Sequence, residues 1–123
     1  MRKHSLLYTA LGLTILLWVL NFIALTLYLY WTIGWYDLMM HFLGGLTIGM
    51  LVIWFLKLED RSLKSFLVVF TCVMAVGGAY EVFEYMNDIT FSTQEYPVDT
   101  VIDLVMDALG IISAYWWATS HSR

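Results

Sequence analysis

An aspartate and a histidine four residues apart, Asp37 and His41, are followed along the chain by Glu81 and Glu84 and then by Asp99, Asp103 and Asp107 at intervals of four. On a helix these spacings line side chains along one face: Asp37 and His41 with Gly44 and Ile48, Glu81 and Glu84 with Gly77, and the three aspartates on a stripe that includes Gly110. Carboxylates and one imidazole arranged in this way can ligate a divalent cation, share protons as interhelical hydrogen bonds, or hand protons or cations along a ladder. Oxygen-rich ligation suits Mg²⁺, Mn²⁺ or Ca²⁺, and His41 leaves Zn²⁺ or Fe²⁺ open.

The elements that carry these residues are read from composition and run length. The 123 residues are 61% hydrophobic and only 13% charged, whereas about a quarter of a soluble domain is charged. Mean hydropathy is +0.76, which leaves no room for a separate globular head. Disorder does not fit such a composition, and the lone Cys72 cannot form an internal disulfide. Four apolar runs, about 6–31, 36–56, 63–86 and 98–118, reach the roughly 20 residues that a helix needs to cross a bilayer. They are continuous rather than alternating, which excludes a β-barrel. The first run follows Arg2 and Lys3 but exceeds a signal-peptide core and lacks a small-x-small cleavage site, so it is expected to remain in the protein. The predicted fold is all-α: a polytopic membrane protein built as a four-helix antiparallel bundle, one transmembrane domain over residues 1–123.

Charge sets the orientation. Arg2, Lys3, Lys57, Arg61, Lys64 and Arg123 all fall before the first span, in the second connection, or at the end. Four crossings put these segments on one face, and the positive-inside rule makes it cytoplasmic, with both termini inside. The turn at 32–35 and the loop from Asn87 to Pro97 then lie outside, and Tyr28, Tyr30, Trp31, Trp35 and Tyr36 form an outer aromatic belt. Each acidic stripe sits toward the outer end of its helix, with Asp107 about 12 Å along the axis from Asp99 at 1.5 Å per residue. A charge at that depth is costly against lipid, so the stripes are expected to face one another in the bundle interior or a wet cleft. Two carboxylates about 5 Å apart repel by about 3 kcal/mol at an effective dielectric near 20. No Lys or Arg lies on that side, and His41 offsets one charge at most. Bound protons or a metal cation must supply the remainder.

Other features carry less chemistry. Gly45 and Gly49 form a Gly-x-x-x-Gly pair, expected to pack within the bundle, with a homo-oligomer interface as the alternative. Asn21 is expected to hydrogen-bond across the bundle and Cys72 to be a small core residue. No Gly-x-Ser-x-Gly, P-loop or His-Glu-x-x-His motif occurs, and no basic surface is available for nucleic acid.

Asp37-Leu-Met-Met-His41-Phe42-Leu43-Gly44-Gly45, Ala79-Tyr80-Glu81-Val-Phe-Glu84-Tyr85 and Asp99-Thr100-Val-Ile-Asp103, with Asp107 and Gly110, resemble the motifs of the YjdF-like bacterial inner-membrane proteins. A looser similarity reaches the VanZ-like membrane proteins. The likeness covers about residues 37–110 and leaves the first helix unmatched. This chain is shorter than the pattern and has Gln94-Glu95-Tyr96 where Gln-Gly-Asp is usual, so the outer loop departs from it. The resemblance implies location in the bacterial inner membrane and, through the VanZ-like proteins, a cell-envelope role, without supplying a reaction.

The expected site is an outward-facing pocket with Asp37, His41, Glu81, Glu84, Asp99 and Asp103 as metal ligands, for Mg²⁺, Mn²⁺ or Zn²⁺. Glu84 and Asp107 are the candidate catalytic carboxylates, Glu84 as a general base to water. The corresponding activity is metal-dependent hydrolysis or transfer on a membrane lipid or envelope precursor bearing phosphate. A proton- or cation-conducting module through Asp99, Asp103 and Asp107, and a non-catalytic assembly partner held together by protonated carboxyls, are the alternatives. Below Gly110 the fourth span continues Ile111, Ile112, Ser113, Ala114, Tyr115, with no ionisable group except that tyrosine.

Overall fold

The computed structural model describes residues 2–58, 62–86 and 96–120. The helices are α1 (Arg2–Thr26), α2 (Leu29–Thr32), α3 (Tyr36–Leu56), α4 (Leu63–Met86) and α5 (Tyr96–Ser120). All but α2 are long and apolar enough to cross a membrane, over His4–Thr26, Tyr36–Leu56, Leu63–Phe83 and Val101–Ala118. Among the described residues there is no strand. Large apolar side chains such as Trp18, Phe22, Phe55, Met86 and Trp116 cover the outside of the bundle, as they must where the surrounding solvent is hydrocarbon.

The first span does not run unbroken to Trp31. It stops at Thr26, where Tyr28 adopts a left-handed conformation with φ 58° and ψ 35°. That conformation costs a non-glycine residue about 1–2 kcal/mol. Contacts made by the returning chain offset it: the Tyr30 hydroxyl donates to Oδ1 of Asn21 at 2.8 Å, and the Tyr36 hydroxyl donates to the Leu20 carbonyl at 2.8 Å. Asn21 is thus bonded to its own neighbouring turn rather than across the bundle. Tyr36, expected in the aromatic belt, is buried, while Tyr28, Trp31 and Trp35 are exposed.

Helix α3 is the hub, packed against α1, α4 and most extensively α5. Glycine explains the closeness of α3 and α5. A Cβ on Gly110 would overlap the backbone of Phe42 and Leu46, and one on Gly45 would overlap the Asp107 carbonyl. One turn further, a Cβ on Gly49 would stand 3.0 Å from that of Ala114. Gly45 and Gly49 are both buried against α5 of the same chain, so this pair is used for packing inside the bundle. Below the crossing, Leu6, Ala10, Met50, Ile53, Val69, Val73, Ile111 and Ala114 form the apolar core. These residues bring the start of α1, the end of α3, the start of α4 and the end of α5 to one end of the bundle. Ser62 caps α4 there, its Oγ accepting from the Ser65 amide at 3.1 Å, and the Tyr115 hydroxyl donates to the Ser62 carbonyl at 3.2 Å. Cys72, expected in the core, is exposed on α4.

Candidate metal centre

At the opposite end, α3 enters with Asp37 in its first turn and His41 one turn deeper. The imidazole lies among four carboxylates from three helices. Its Nε2 is 3.6 Å from Oδ1 of Asp37, 3.5 Å from Oε1 of Glu81 and 3.3 Å from Oδ2 of Asp103, while Nδ1 is 3.3 Å from Oδ1 of Asp107. His41, Glu81, Asp103 and Asp107 are buried, Asp103 completely. Asp37, with 32% of its side chain accessible, is the outermost member. The convergence expected from helical spacing is therefore present for Asp37, His41, Glu81, Asp103 and Asp107.

Packing places these groups. The α3–α5 glycine contact brings Asp107 beside His41, and Gly77 of α4 leaves the space that Oδ2 of Asp107 fills; a Cβ there would overlap that oxygen. The ring of Tyr80 meets the imidazole edge-on at a centroid distance of 6.1 Å. Helical spacing does not mark Tyr80 as a site residue; its sequence signal is its place beside Glu81 in the Ala79-Tyr80-Glu81 motif. Glu84 and Asp99 lie on the helical backbones of α4 and α5, but their side chains fall outside the described residues, as does the connection at 87–95.

Hydrogen bonding shows the electrostatic problem. Both carboxylate oxygens of Asp103 and Oδ2 of Asp107 are fully buried and, among the described residues, accept no hydrogen bond. Buried polar atoms normally find a partner, because leaving one without costs about 1–3 kcal/mol, more when charged. If Nδ1–H of His41 is donated to Asp107, the Nε2 lone pair faces the oxygens of Asp37, Glu81 and Asp103. Only acceptors then meet there. A shared proton or a cation resolves the arrangement. Lys57 and Lys64 are exposed at the far end, Lys57 being about 24 Å along α3 from His41 at 1.5 Å per residue.

The donor set has the span of a metal site. One ligand atom each from Asp37, His41 and Asp103 lie within 4.8 Å of one another. Two ligand bonds of about 2.1 Å on opposite sides of an ion reach roughly 4.2 Å, so a contraction of about half an ångström closes the set. The Nδ1 contact with Asp107 matches the way metal-bound histidines are oriented by a second carboxylate through the nitrogen that does not ligate.

No curated protein and no solved structure matches the chain. A family model does, over residues 1–123, and its description is that of a predicted membrane protein. With the whole length matched and four apolar helices packed together, the chain belongs to the DUF2238 family of membrane proteins.

Proposed function

We propose that this protein carries an intramembrane divalent-metal centre and uses it in hydrolysis or transfer at a phosphate group of a membrane lipid or envelope precursor. The carrying observation is the set of oxygens from Asp37, Glu81 and Asp103 around Nε2 of one buried histidine, with both Asp103 oxygens accepting no hydrogen bond among the described residues. Asp37, His41, Glu81 and Asp103 hold the ion, and Asp107 orients the imidazole from Nδ1. Bound there, a divalent cation would neutralise and polarise a phosphate, a task for which this side of the chain has no Lys or Arg. Glu84 remains the candidate base, one turn along α4 from Glu81.

The charge distribution supports a bacterial inner-membrane orientation with both termini cytoplasmic and the cluster in the outer half. Motif order supports a place near the YjdF-like proteins, and more distantly the VanZ-like ones.

A second reading has an observation of its own. Both imidazole nitrogens face carboxylates, as they would in an imidazolium bridging Asp103 and Asp107, with protons shared among the other acids as interhelical glue. Elemental analysis of detergent-purified protein separates the two. Close to one divalent ion per chain, lost in the Glu81→Gln, Asp103→Asn double variant, is the result expected of a metal centre. Equal metal content in both proteins rejects it in favour of the protonated cluster.

A further inference from the structure

His41 and Asp107 border more than the carboxylate cluster. They also line a cleft of 320 Å³ walled by α1, α3 and α4, with Tyr30 of α2 and Asp107 of α5 completing the lining, large enough for about ten water-sized groups at ~30 Å³ each. Its lining is graded. Asn21, Tyr30, His41 and Tyr80 stand toward the end of the bundle where α3 begins, and Leu17, Ile48 and Val73 stand deeper. From His41 to Ile48 the cleft runs about 10 Å along α3 at 1.5 Å per residue, with Asp107 level with Gly45 and Gly77 and only apolar side chains below. Gly44 lies on this wall, and a Cβ on it would meet nothing within 4 Å. Val76, on the α4 wall, is about half exposed.

We propose that this cleft receives one hydrocarbon chain of a phosphate-bearing membrane lipid, which enters sideways from the bilayer with its headgroup toward His41 and the carboxylate cluster. The polarity gradient carries the assignment: it has the sense of a lipid in the leaflet that holds the cluster, polar end outward and tail toward mid-membrane. A water-filled vestibule would not be apolar over its deep half. The headgroup assignment rests on the metal reading, because only a bound cation makes the acidic cluster attractive to phosphate; occupation of the deep half by a hydrocarbon chain does not. The substrate class of the proposed reaction is then narrowed from any envelope phosphate to a lipid whose own tail positions it.

The test uses full-length protein purified in detergent and incubated with mixed micelles containing equal amounts of phosphatidylglycerol and a diacylglycerol of the same chains, with Mn²⁺ or with chelator, and read by native mass spectrometry alongside metal content. Wild type with Mn²⁺ should retain one phosphatidylglycerol per chain in preference to diacylglycerol. Gly44→Leu and Val76→Trp, which fill the slot from α3 and α4, should each lower retention at least tenfold while leaving metal content unchanged. Two substitutions from opposite walls keep the outcome readable if one fails to fold. Retention undiminished in a folded variant, or no lipid retained by wild type, overturns the proposal. Preference for phosphatidylglycerol that is indifferent to chelator, with lipid still lost on filling the slot, upholds the tail site and overturns the headgroup assignment and its metal. Metal bound without lipid upholds the centre and overturns the cleft.

Discussion

Asp103→Asn removes one negative charge from the most enclosed position of the cluster while nearly preserving side-chain volume. The ligand oxygens of Asp37 and Asp103 lie within 4.8 Å, a separation at which two full charges repel by about 3 kcal/mol at an effective dielectric near 20. Proton uptake relieves part of that, so about 3 kcal/mol bounds the Asp37 contribution. The asparagine amide also brings a donor among the carboxylate oxygens of Asp37 and Glu81. In chelator, the variant should therefore unfold at a higher temperature than wild type. With a divalent ion at 100 times its dissociation constant, wild type gains about 2.7 kcal/mol. The variant, with a ligand missing, should gain far less, so the order of stability should narrow or reverse. Thermal unfolding in detergent, with EDTA and across a Mn²⁺ titration, reads both arms. A lower midpoint for Asp103→Asn in EDTA would refute the claim that its carboxylate is held against repulsion, and equal Mn²⁺ stabilisation of both proteins would refute its role as a ligand.

Asp107→Asn should weaken metal binding about 10–100-fold, the usual range for an orienting partner behind a ligating histidine, whereas Asp103→Asn should nearly abolish it; isothermal titration distinguishes the two. Metal stabilisation should fall as pH falls, because carboxylate and imidazole ligands must lose protons to bind, and a midpoint shift by Mn²⁺ that is the same at pH 5 and pH 8 contradicts this. Gly110→Ala drives a methyl group into the backbone of Phe42 and Leu46; it should cost about 1–3 kcal/mol and reduce metal content together with stability by separating α3 from α5. Cysteine substituted at Gly34 should react with an impermeant maleimide in intact cells and cysteine at Lys57 only after lysis; the reverse pattern would invert the proposed orientation.

The amino-acid sequence alone determined the solvent and the architecture. Four apolar runs of membrane-spanning length, with short connections, admit few arrangements, because every backbone polar group must be satisfied within the hydrocarbon. Helical periodicity also determined that Asp37 and His41 share a face, as do Asp103 and Asp107, and the lack of a basic residue at that end posed the question of what neutralises them. Periodicity is a property of one helix, however, and says nothing about which faces meet. That was decided by the approach of α3 to α5 through Gly45 and Gly110, a backbone contact whose register set Asp107 against Nδ1 and Asp103 against Nε2. The break after Thr26 was likewise invisible, since Tyr28 takes a left-handed conformation that no local glycine or proline announces and that contacts of Tyr30 and Tyr36 with the preceding helix offset. The cleft beside His41 belongs to the same category, because a space lined by residues of several helices exists only once their packing is set.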